Sequence, residues 1–118
     1  MIPRKKDHIE VEKSTVYIAI IYGISSSIML TFWQYNIFAA LVALVASLIG
    51  IKYFHRKEDN IAFFISFFVG PLSEISAVYA GVWSYSAPFA QGIPLWLPFL
   101  WGQVVVVTLR STKVLAKL

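Results

Sequence analysis

Four apolar stretches, roughly 15–32, 37–51, 61–83 and 94–109, alternate with short polar or charged segments along this chain. A helix rises about 1.5 Å per residue and the hydrocarbon core of a bilayer is about 30 Å thick, so about 20 residues cross it. The first and third stretches are long enough. The second spans if the Lys52 stem snorkels and the helix runs on through Tyr53 and Phe54. The fourth is shorter and extends into the segment after Arg110. The pattern predicts helices over about 15–33, 37–54, 61–83 and 94–110, in one transmembrane domain covering residues 1–118.

The positive charges orient these helices. Arg4, Lys5, Lys6 and Lys13 precede the first, Lys52, Arg56 and Lys57 lie between the second and third, and Arg110, Lys113 and Lys117 follow the core of the fourth. These are all ten lysines and arginines of the chain. The connections 33–36 and 84–93 carry none. Cytoplasmic flanks collect Lys and Arg, so both termini and the middle connection are expected in the cytoplasm, which requires an even number of crossings. Trp33, Trp83 and Trp96, with Tyr35 and Tyr85 beside them, gather at the neutral ends as an aromatic belt does. The first apolar stretch exceeds the 7–15 residues of a signal-peptide core and reads as a retained anchor. The expected fold is all-α: an up-down bundle of four transmembrane helices in the cell membrane, multi-pass, with both termini cytoplasmic.

Composition agrees. Apolar residues make up 58% and charged residues 14% of 118 positions, and mean hydropathy is +0.72. A soluble domain of this size buries too little surface to hide that much apolar area. A net charge of +4 points to anionic lipid at the helix flanks and not to nucleic acid. With no cysteine and two histidines, the chain offers too few ligands for a metal centre, and no metal and no cofactor are expected.

Of the six acids, Glu74 alone falls inside an apolar stretch. It lies nine residues before Trp83, about 14 Å below the expected outer end of its helix. A carboxyl there costs on the order of 3 kcal/mol on insertion scales, so it should face protein or water and take a hydrogen bond. Gln103 falls at a similar depth on the fourth helix, and Ser25, Ser26 and Ser27 lie in the same layer on the first. Glu74, Gln103 and one or more of these serines are expected to meet in the bundle core. Around Glu74, Ser73, Ala77 and Gly81 recur every four residues as a face for close helix packing. Gly70 and Pro71 precede it by one turn, and Pro71 frees the carbonyl of Phe67.

Glu74, Gly81, Trp83, Tyr85, Gly92, Pro94, Trp96, Trp101 and Gly102 form the pattern E-x6-G-x-W-x-Y-x6-G-x-P-x-W-x4-W-G. This resembles the membrane carotenoid hydratase family, in which an intramembrane Glu is followed by a glycine–aromatic–tyrosine cluster and a Gly-x-Pro before the next helix. It also resembles several uncharacterised small polytopic families. The resemblance covers about a quarter of the chain. It implies a polyene lipid as ligand, with Glu74 in place of the family's acidic residue. The hydratases are longer, with more helices and further acids.

Three functions compete. An accessory or structural subunit of a larger membrane complex comes first, since the chain is small, lacks cofactor ligands and carries a close-packing third helix; its partners would be the lipid bilayer and other membrane subunits. A polyene-lipid-binding protein or lipid-modifying enzyme would use Glu74 as catalytic general acid. A small proton-coupled exporter would resemble the small multidrug resistance transporters. Those carry their Glu in the first helix and pair antiparallel, which a uniform charge bias opposes.

Overall fold

The computed structural model describes the backbone of residues 5–117 and the side chains of residues 13–117. Arg4, and the side chains of Lys5 and Lys6, therefore lie outside the described residues. Four α-helices follow one another: α1 (Lys5–Thr31), α2 (Asn36–Ile49), α3 (Lys57–Tyr79) and α4 (Leu97–Leu115). A π-turn, Gly50–Phe54, continues α2 and closes with the His55 amide donating to the Gly50 carbonyl at 2.8 Å. Three segments are long and apolar enough to cross a membrane: Lys13–Thr31, Asn36–Phe54 and Lys57–Tyr79. The molecule extends 49 × 26 × 21 Å.

The polarity of the bundle is inverted relative to a water-soluble fold. Ile24, Leu30, Leu41, Leu48, Ile65, Phe68 and Leu72 are exposed, whereas Asp59, Gln103 and Arg110 are buried. In α1 the buried face is Ile18, Tyr22, Ser25 and Met29, at the four-three-four spacing of a helical stripe. In α4 it is Gln103, Val106 and Arg110.

Close packing differs from expectation. Ser73 and Gly81 are exposed and Ala77 is half-buried, so the small-residue face of α3 is turned away from its own bundle. The buried small stripe is on α2, where Ala39, Ala43 and Ser47 recur every four residues. Such residues let helix backbones approach. Gly70 and Pro71 of α3 are buried as well. A Cβ at Gly70 would overlap the Trp101 ring, and one at Gly102 would lie 2.6 Å from Phe63, so each helix of the α3–α4 pair places an aromatic ring over a glycine of the other. Pro71 stands inside α3 without ending it.

Helix boundaries shift for identifiable reasons. α3 ends at Tyr79 and not near Trp83. Gly81 takes φ +78°, and the Val82 amide donates to Ala77 O at 2.9 Å while the Gly81 amide donates to Val78 O at 3.1 Å. That pair of bonds is a Schellman motif, which needs a left-handed residue after the helix and favours glycine. The role of Gly81 is thus to stop the helix. α4 begins at Leu97, three residues past Pro94, with Pro98 in its first turn, where a missing N–H leaves no helical bond unmade.

Candidate functional site

The early end of α3 places Glu74 five residues from the helix terminus, about 7.5 Å along the axis and closer to the end of the helix than the sequence suggested. The chain turns back at Gly81 and brings Tyr85 over the preceding turns. The Tyr85 hydroxyl donates to Glu74 Oε2 at 2.6 Å. Burial, and then this bond to the carboxyl, raise the Tyr85 pKa above its ordinary value, so the phenol keeps its proton and acts as donor.

The connection between α3 and α4 is folded over this position. Gln91 and Gly92 both have positive φ, 54° and 79°, and Ala90 and Ile93 form a bridge across them. This is the two-residue hairpin geometry of a primed turn. A Cβ on Gly92 would sit 2.7 Å from Val78 Cγ1, and the Tyr79 hydroxyl donates to Gln91 Oε1 at 2.8 Å, so the hairpin rests on the last turn of α3. Asn36 ties the same connection to α2: its Nδ2 donates to Ala87 O at 3.0 Å and its Oδ1 accepts from the Leu95 amide at 2.8 Å. The Trp96 indole donates to Trp33 O at 3.3 Å. These bonds hold Tyr85 and Trp96 in fixed relation to α3.

Glu74 and Tyr85 thereby flank a groove of about 280 Å³, walled by Trp96, Trp101, Leu97 and Leu100. One carboxyl and one phenol stand against indole and aliphatic surface. Such a groove suits an elongated apolar molecule with a single polar group.

The remaining expected site residues lie elsewhere. Gln103 is buried and its Nε2 donates to Ala43 O at 3.1 Å and Ser47 Oγ at 3.0 Å, so it turns to α2 rather than to Glu74. Ser26 does share a cavity of about 160 Å³ with Gln103, between α1 and α4. Ser25 is buried, and its hydroxyl, like Gln103 Oε1, has no partner among the described residues. Ser27 is exposed and donates to Gly23 O at 2.8 Å. The single polar layer expected from helix depth is therefore two separate places: Glu74 with Tyr85, and Gln103 with Ser47 and Ser26. Depth along a helix fixes one coordinate only; which side of the helix a residue occupies decides its neighbour.

A third polar cluster, at the opposite end of the bundle, escaped the sequence reading. Arg110 is 1% exposed and Asp59 0%, and Arg110 Nε donates to Asp59 Oδ2 at 2.7 Å. The guanidinium also reaches Thr15 Oγ1, Ser14 Oγ and the Phe54 carbonyl, the last at 2.6 Å. Asp59 Oδ2 accepts the Arg56 amide as well, at 2.8 Å, in the third position of α3 where an acid suits the helix start. Next to it, Tyr22 Oη lies 2.6 Å from His55 Nε2, and His55 Nδ1 lies 2.8 Å from Asn60 Oδ1. α1, α3, α4 and the π-turn contribute. The available signal was a pair: an acid three residues into α3 and an arginine late in antiparallel α4.

Among the described residues no group of three or more His, Cys, Asp or Glu is placed to hold a metal ion. Comparison with protein-family models, curated proteins and solved structures finds no match for this chain.

Proposed function

We propose that this chain is a multi-pass protein of the cell membrane, with four crossings and both termini cytoplasmic, which binds a hydroxyl-bearing polyene lipid in the groove between Glu74 and Tyr85. The alternation of basic and neutral connections supports the orientation. α4 is not among the three segments long and apolar enough to cross by themselves, but its two most costly inward residues, Gln103 and Arg110, bond to α2 and to Asp59, so lipid is spared them. That makes a fourth crossing affordable in hydrophobic terms.

The observation that carries the ligand reading is the Tyr85–Glu74 hydrogen bond at the rim of an aromatic-walled groove. Glu74 already has a partner within its own chain, so its presence in α3 does not require a neighbouring subunit. Its second oxygen is the natural contact for a ligand hydroxyl, while Trp96, Trp101, Leu97 and Leu100 give a conjugated chain apolar walls. The same carboxyl is the residue through which a lipid-modifying reaction would exchange a proton.

Titration of the purified full-length protein with retinol, read by quenching of tryptophan fluorescence, tests this. The wild type should bind, and Glu74→Gln and Tyr85→Phe should each weaken binding about tenfold, the loss expected for one buried hydrogen bond, with unchanged melting temperature. Equal affinity in wild type and both variants would reject the groove as the site.

One observation favours a second reading, an accessory subunit of a larger complex: Ser73 is exposed and Ala77 only half-buried, so the small-residue positions of α3 are not fully covered within this chain. Native co-purification in mild detergent decides it. Recovery of the chain as a lone monomer rejects the subunit reading.

A further inference from the structure

α3 begins where α4 ends, and the buried Arg110–Asp59 pair fastens the two together at 2.7 Å. Above this pair lies a cavity of about 290 Å³ lined by Arg56, Glu58, Arg110, Lys113 and Lys117. Its charge is unbalanced. Asp59 answers Arg110, and Glu58 answers Lys113 at 2.7 Å. Arg56 and Lys117, both exposed and both lining the cavity, leave it with two positive charges in excess.

We infer that this cavity is a binding site for the phosphate of an anionic lipid headgroup. Three features distinguish it from a diffuse basic flank. The cations converge on a concave site rather than spreading along a helix. The floor is rigid, because Arg110 is held by Asp59, Ser14, Thr15 and the Phe54 carbonyl. The start of α3 contributes the positive end of its dipole beside Arg56. The end of α4 has the opposite polarity, so the phosphate sits toward Arg56 and α3, with Lys117 closing over it. Lys117 and Arg56 lie at the end of the bundle where every described lysine and arginine gathers, the end that meets the anionic leaflet in the proposed orientation. The site is at the opposite end of the molecule from Glu74, and its test does not depend on a ligand there.

Binding of dioleoyl phosphatidic acid in neutral detergent micelles to the full-length protein is the test, with phosphatidylcholine and inorganic phosphate as parallel probes. Phosphatidic acid should bind and raise the melting temperature. Arg56→Gln combined with Lys117→Gln should weaken that binding about tenfold or more. Lys52→Gln, an exposed lysine outside the cavity, should leave it unchanged. Equal binding of phosphatidylcholine, or equal losses in the cavity variant and Lys52→Gln, would overturn the site. Inorganic phosphate binding with the same affinity, lost in the cavity variant, would overturn the lipid source and assign the cavity to a free phosphate.

Discussion

Arg110 illustrates how a residue's surroundings can reverse its apparent role. By position it belongs to a basic flank, yet its side chain is enclosed by α1, the π-turn and α3 and makes four hydrogen bonds to groups other than water. An enclosed ion pair contributes little net stability when complete, because desolvation offsets the attraction, but removing one partner strands the other. Arg110→Met should therefore destabilise the protein by about 3–5 kcal/mol, and adding Asp59→Leu should restore most of it. Chemical unfolding in detergent, followed by tryptophan fluorescence, measures both. A double variant no more stable than Arg110→Met would mean that the pair is not what links α3 to α4. Lys113 is the contrast: its bond to Glu58 is 40% and 52% exposed at the two side chains, and such a pair is worth little.

At the scale of elements, the number of helices and their approximate centres were legible from apolar runs and charge, because a segment long enough to cross a bilayer needs about 20 mostly apolar residues and lysines and arginines collect at its flanks. Ends and faces were less so. Gly81 fits an i, i+4 small-residue pattern with Ser73 and Ala77, and the same glycine also satisfies the left-handed position of a helix stop; the two uses look identical in sequence, and the second prevails because the Val82 and Gly81 amides find partners only when the chain turns. The α2 stripe of Ala39, Ala43 and Ser47 had the same signature and is the one that packs. Glu74 was legible as the polar residue of α3, and Tyr85 as its neighbour in a motif, but their contact depends on the turn at Gly81 and on the hairpin at Gln91–Gly92. Gln103 was expected against Glu74 and instead bonds to α2, because the side of α4 that turns to α2 depends on packing between helices, which is not written in any single stretch.

At the scale of the molecule, the two ends of the bundle have different chemistry. The end at the α3–α4 connection holds one carboxyl in an aromatic groove; the opposite end joins α1, the π-turn, α3 and α4 through ionic and imidazole contacts. His55 is the element of that junction most sensitive to pH. Its ring lies between Tyr22 of α1 and Asn60 of α3, with Asp59 and Arg110 near it. Nδ1 faces an amide oxygen and so carries a hydrogen, while Nε2 accepts from the Tyr22 hydroxyl; this arrangement fits a neutral ring. A Cβ at Gly50 would overlap that hydroxyl, so Tyr22 is closely packed where it meets the ring. Burial lowers the His55 pKa from its ordinary 6.5, outweighing the opposite pull of Asn60 and Asp59. The unfolded chain thus takes up the proton at higher pH than the folded one. The stability that neutral His55 contributes is fully present above about pH 6.5 and drains away as pH falls through the lowered folded value. The melting temperature should accordingly drop between about pH 7.5 and about pH 5, and His55→Gln should flatten that part of the profile while leaving the rest. An unaltered slope in the variant would place the acid sensitivity in another group and remove His55 from the junction that holds this end of the bundle together.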